Sequence, residues 1–119
     1  MRSGPGADLL NWCDTHCHLD AFELQADFDA LIKRSIDAGV RQWIVPAVST
    51  SAFERVLAIA QGNDGVHYAL GIHPLYVKTA KTSHIDQLEA WVLTHRSDHK
   101  LLAIGEIGLD LYPGHPPIE

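Results

Sequence analysis

The sequence predicts an α/β fold on a parallel sheet, with four strands and three helices alternating along the chain. Three observations predict it: short, nearly continuous apolar runs recur, the segments between them carry apolar residues at helical spacing, and Gly, Pro, Ser or Asp marks the switches. Strand–helix–strand units of this kind join parallel neighbours through right-handed crossovers. Two architectures use that order, an open doubly wound sheet and a (β/α)8 barrel, and the pattern alone does not separate them. A complete barrel takes about 250 residues, so the 119 residues here would form the N-terminal half of one. Such a half would leave two unpaired strand edges, and self-association or aggregation through them is expected.

Residues 1–8 are polar with Gly and Pro and read as a flexible tail, leaving 9–119 as the folded domain. The run from Leu9 to Asp14 predicts a buried first strand ending near Thr15. From Phe28, the apolar residues Leu31, Ile32 and Ile36 form a helical stripe, with Asp27 and Asp29 near its start and Gly39 placed to end it. Gln42–Val48 is the second strand, with Pro46 late enough for the ladder to bend. Ser51 and Glu54 have capping-box spacing, and Phe53, Val56, Leu57, Ile59 and Ala60 give the following helix its apolar stripe. Gly62-Asn63-Asp64-Gly65 stops that helix. Val66–Ile72 is the third strand. Ser83 and Asp86 mark the start of a third helix whose stripe is Ile85, Leu88, Trp91 and Val92, and Lys100–Ile107 is the fourth strand.

Composition narrows the function. The hydrophobic share of 46% is enough for an ordinary core. No run approaches the roughly 18 apolar residues that cross a bilayer, and residues 1–8 do not lead into a secretory signal core, so a cytoplasmic protein with no membrane partner is expected. Cys13 and Cys17 are the only cysteines and are expected to be reduced, buried and unbridged. The net charge of −6 repels nucleic acid, and no Lys/Arg-rich run compensates for it. If the protein handles phosphates, bound cations must attract them.

Asp14-Thr15-His16-Cys17-His18-Leu19-Asp20 stands at the end of the first strand. Alternation along a strand would put Asp14, His16 and His18 on one side, with the two histidine Cα atoms roughly 6 to 7 Å apart. Two imidazoles so placed can grip one ion at about 2.0 to 2.1 Å each. With 8 His in 119 residues, however, chance yields about 0.5 such pairs, so position matters more than spacing: ligands of parallel α/β folds bind at the carboxyl ends of strands. Glu106 lies in an apolar run between Gly105 and Gly108, where it is either a metal ligand at the same mouth or half of a buried ion pair. His73, in Gly71-Ile72-His73-Pro74 after the third strand, is either a site residue or a turn cap. His67, His84, His95, His99 and His115 have no partner at useful spacing and read as surface residues. Two imidazoles and one carboxylate suit Zn, Mn, Ni or Fe better than Mg.

Together the three segments resemble the TatD family of metal-dependent hydrolases, over about Asn11 to Tyr112. The resemblance implies a (β/α)8 barrel of the TIM type and a deoxyribonuclease that hydrolyses phosphodiester bonds of DNA with one or two divalent metal ions, a transition metal being favoured. By position, it implies that His16 and His18 are metal ligands, that Glu106 is both a ligand and a catalytic carboxylate, and that His73 lines the substrate mouth. The family draws two further His ligands and an Asp base from the second half of its barrel. The chain ends at Glu119, so on its own it is expected to be inactive or nearly so. Two alternatives are an amide or ester metallohydrolase of the same superfamily and a non-enzymatic metal-binding or interaction module.

Overall fold

The structure is a computed structural model that describes residues 10–112; Leu9, the tail at 1–8 and His115 lie outside the described residues. The elements are β1 (Trp12–Asp14), α1 (Phe28–Asp37), β2 (Val40–Pro46), α2 (Phe53–Gly62), β3 (Val66–Leu70), α3 (Thr82–His95) and β4 (Leu101–Ile104). Short 3-10 segments at Phe22–Asp27, Thr50–Ala52 and Pro74–Thr79 follow β1, β2 and β3. All four strands are parallel, in the order β1-β2-β3-β4. A doubly wound sheet reverses direction at a switch point, whereas a barrel adds each strand beside the last. The strictly sequential order is therefore the barrel arrangement.

The core lies on the helix side of the sheet. Trp43 and Val45 of β2 and Val66, Tyr68 and Leu70 of β3 alternate onto that side, where Phe53, Val56, Ile59 and Ala60 of α2 meet them, all buried. Trp91 of α3 packs edge-on against Phe53, with ring centroids 5.6 Å apart. Gly39 ends α1 at φ +100, a conformation that favours glycine, and a Cβ there would lie 2.7 Å from the Cβ of Leu10. No described helix is long and apolar enough to cross a membrane.

Several expectations are corrected. β1 and β4 are mostly exposed rather than buried, because each has one strand neighbour and Leu102 and Ile104 stand on a surface that no described helix covers. Cys13, on β1, is exposed for the same reason. Ser51 is not the cap of α2: its hydroxyl bonds that of Ser49 at 2.8 Å, and the helix grows out of the preceding 3-10 turn instead. Ile85 is exposed, leaving the inner stripe of α3 to Leu88, Trp91 and Val92. Neither His84 nor His95 is a bare surface residue. The backbone N–H of Lys81 donates to Nδ1 of His84 at 3.0 Å at the start of α3, and His95 stacks on Trp91.

A polar bracket closes the loop between α3 and β4. The Tyr68 hydroxyl donates to Asp98 Oδ2 at 2.8 Å, the Lys100 backbone N–H donates to Asp98 Oδ1 at 2.9 Å, and the Lys100 ammonium donates to the carbonyls of Ala60 and Asn63. The Lys100 N–H, then the Tyr68 hydroxyl, holds the Asp98 carboxyl below its ordinary range. A carboxyl with a lower pKa in the folded state stabilises that state above its unfolded pKa of about 3.9, and the gain is lost as pH falls through the folded value. Urea midpoints measured from pH 5 downward should therefore fall in the wild type, and Asp98→Asn should flatten part of that decline. An unchanged slope would remove Asp98 from the acid response.

Candidate metal centre

The site is assembled where the chain leaves the carboxyl ends of β1, β3 and β4. β1 stops at Asp14, so strand alternation does not bring the two histidines together. Asp14 Oδ1 accepts from the His16 backbone N–H at 3.2 Å, turning the chain, and the Cys17 N–H then donates to the Ile44 carbonyl at 3.1 Å. The His16 and His18 rings end up with centroids 5.1 Å apart and nearly perpendicular. The convergence expected from the sequence is present, but a turn produces it.

Glu106 arrives from the other edge of the sheet. Gly105 N–H donates to the Leu70 carbonyl at 2.9 Å and Glu106 N–H to the Ala47 carbonyl at 3.0 Å, so the chain after β4 is pinned across the tops of β3 and β2. The carboxylate, about one-fifth exposed, has Oε1 3.5 Å from His16 Nε2 and Oε2 3.3 Å from His18 Nε2. Good N–H···O bonds are shorter, about 2.7 to 3.2 Å. Ligands held at about 2.05 Å around a tetrahedral ion, by contrast, lie about 3.3 Å from one another. Candidate ligand atoms of all three residues fall within 4.8 Å of one another. Both spacing and donor types therefore fit a divalent ion held by His16, His18 and Glu106.

His73 unites its two sequence readings. Its Nδ1 accepts from the Leu75 N–H at 3.0 Å, capping the 3-10 segment at Pro74–Thr79, while its Nε2 faces Glu106 Oε1 at 3.7 Å. A neutral imidazole whose Nδ1 accepts carries its proton on Nε2, so His73 presents a donor to the site. Cys17, by contrast, has no reactive thiolate: burial first, then Asp14, pushes its thiol up to about 12.

Three contributors were not singled out from the sequence. Asp20 Oδ1 is buried without a hydrogen-bond partner among the described residues, while the Asp20 carbonyl accepts from Arg55 Nε at 2.9 Å. Asp20 ends the His-x-His segment, the one sequence signal it had; Arg55 had none. Gly71 is the third. A Cβ at Gly71 would lie 2.5 Å from the Glu106 carbonyl oxygen and 2.6 Å from the Gly105 carbonyl carbon. Neither glycine flanking Glu106 is crowded in this way: a Cβ at Gly105 would meet only the Ala69 Cβ, at 3.8 Å, and Gly108 has a positive φ of 121 with nothing within 4 Å of its Cβ position.

A cleft of about 710 Å³ opens beside the three candidate ligands, lined by His18, Asp20, Phe22, His73, Tyr76 and Glu106 among others. That volume suits a small molecule or one nucleotide.

Comparison with known proteins gives a consistent result. The sequence profile of the family described as TatD related DNase matches residues 13–118. YjjV of Escherichia coli K12, named an uncharacterized metal-dependent hydrolase, is 37% identical over 111 residues, which take in 93% of this chain and 42% of that protein. The human protein named deoxyribonuclease TATDN3 is 30% identical over 105 residues, 84% of this chain and 38% of that one. The crystal structure of YjjV, described as a TatD homologue, matches with a TM-score of 0.79 and 38% identity, covering 87% of this chain and 39% of that one. The chain thus spans about two-fifths of the length of these relatives.

Proposed function

The chain belongs to the TatD-related DNase family, and from that membership we propose that His16, His18 and Glu106 form part of a metal-dependent centre for hydrolysing DNA phosphodiesters. The observation that carries the reading is the set of separations from Glu106 to the two histidines, 3.5 and 3.3 Å, at the strand-end mouth of a barrel-type sheet. Divalent cations bound there would act as Lewis acids and lower the pKa of water, and the nitrogen ligands favour a transition ion. The two imidazoles hold the centre from the β1 side, and the pinned Glu106 carboxylate closes it from the β4 side. His73 Nε2–H offers a hydrogen bond to Glu106 or to a phosphate oxygen of the substrate. The relative named a deoxyribonuclease supports the choice of substrate, and a cationic centre reconciles that substrate with the chain's charge of −6.

Fluorescence anisotropy of a labelled DNA strand, with and without Mn²⁺, followed by a gel of the products, tests the reading. Association should require the cation, weaken with added salt, and be accompanied by slow cleavage that chelation stops. Hydrolysis of an amide or ester panel with DNA untouched would replace the substrate. Absence of any cation-dependent association would remove the nuclease reading.

A further inference from the structure

We propose that Phe22 and Tyr76 form an aromatic clamp that holds a nucleobase of the substrate beside the metal centre, an inference that rests on the nuclease reading above. The topology builds such a clamp directly. β1 and β3 flank β2, so the segments following them rise on either side of the loop after β2. Phe22 opens the 3-10 segment after β1, and Tyr76 lies in the one after β3, while Ser49 and Ser51 from the loop after β2 line the cleft between them.

Phe22 is 80% exposed and Tyr76 43%, yet both line the cleft shared with His18, His73 and Glu106. Among the described residues Phe22 packs in no hydrophobic core cluster, so burial there does not explain an apolar ring at that position. Tyr76 is held by an edge-on contact with the His73 ring, centroids 6.5 Å apart, which ties one wall to the site.

Charge identifies which part of a nucleotide enters the cleft. Away from Glu106 and the cation it would hold, the lining carries the carboxylates of Asp20 and Glu23 and, among the described residues, the guanidinium of Arg55, whose Nε already donates to the Asp20 carbonyl. A phosphate would be repelled there, whereas a planar, uncharged base can stack on a ring and use the serine hydroxyls at its edge. The phosphate is left to the cationic centre next to the cleft. Aromatic stacking tolerates any base, so the clamp favours an unpaired base without reading sequence.

The test compares two fluorescein-labelled single strands of equal length, one of thymidylate and one abasic, titrated with the 119-residue chain in Mn²⁺. The wild type should bind the base-bearing strand about fivefold to 150-fold more tightly, the range expected for one stacked base. Phe22→Ala should bring that ratio to within about twofold of unity, and Phe22→Trp should preserve it. Because Phe22 is exposed, its replacement leaves the core intact. A wild-type ratio near one, or a ratio unmoved by Phe22→Ala, overturns the clamp while the nuclease reading stands. Failure of both strands to bind in Mn²⁺ overturns the nuclease reading itself.

Discussion

Replacing His16 and His18 together by Ala should abolish divalent-ion binding. Transition-ion sites with four protein ligands bind with about 12 kcal/mol, or about 3 kcal/mol per ligand, so each single substitution should cost about 100-fold in affinity and the pair should take binding below detection. Glu106→Gln should fall in the single-substitution range, since the amide keeps the shape but loses the charge. Isothermal titration with Zn²⁺, or the visible bands of Co²⁺, reads the loss directly. Both side chains are about half exposed, 55% and 42%, so the thermal midpoint of the metal-free protein should move little. That separates loss of a ligand from loss of the fold. Unchanged affinity in the double variant would place the ion elsewhere.

The central part of this arrangement was legible in the sequence because its signals are local. β2 and β3 announce themselves as apolar runs since both of their neighbours are strands, and Gly39 is legible because a left-handed helix end favours glycine. His16 and His18 stand out in the sequence by strand-end position, and the convergence of their rings was expected for the wrong reason. Alternation along a strand is a rule about residues inside the strand, and β1 ends at Asp14; the Asp14 side chain makes the turn that brings the rings together. The exposure of β1 and β4 was illegible because it depends on what lies beyond each edge. Ser51 failed as a cap because a hydroxyl has competing partners, and this one pairs with the Ser49 hydroxyl. The choice between a barrel and a doubly wound sheet rests on strand order, which no window of sequence contains.

Gly71→Ala should lower metal affinity by about 10- to 100-fold although residue 71 bears no ligand, the range seen when the support of a ligand is removed. The added Cβ would fall 2.5 Å from the Glu106 carbonyl oxygen and 2.6 Å from the Gly105 carbonyl carbon. Those are backbone atoms, so no side chain can swing aside to relieve the contact. Gly105 and Glu106 are also tied to Leu70 and Ala47 through their N–H groups, so either those bonds stretch or the segment moves as a unit. Either way the carboxylate leaves the positions 3.3 and 3.5 Å from the two histidines. An overpacking cost of about 1 to 3 kcal/mol should accompany the shift and appear in the urea midpoint. Gly105→Ala is the matched control, one residue from Glu106 but with its Cβ meeting only the Ala69 Cβ at 3.8 Å. It should retain metal affinity within about threefold, since that is ordinary van der Waals contact. If the two substitutions weaken binding equally, proximity to Glu106 in sequence explains the loss and the packing of Gly71 against the β4 exit does not. If Gly71→Ala loses stability but keeps its affinity, the carboxylate is positioned independently of that contact.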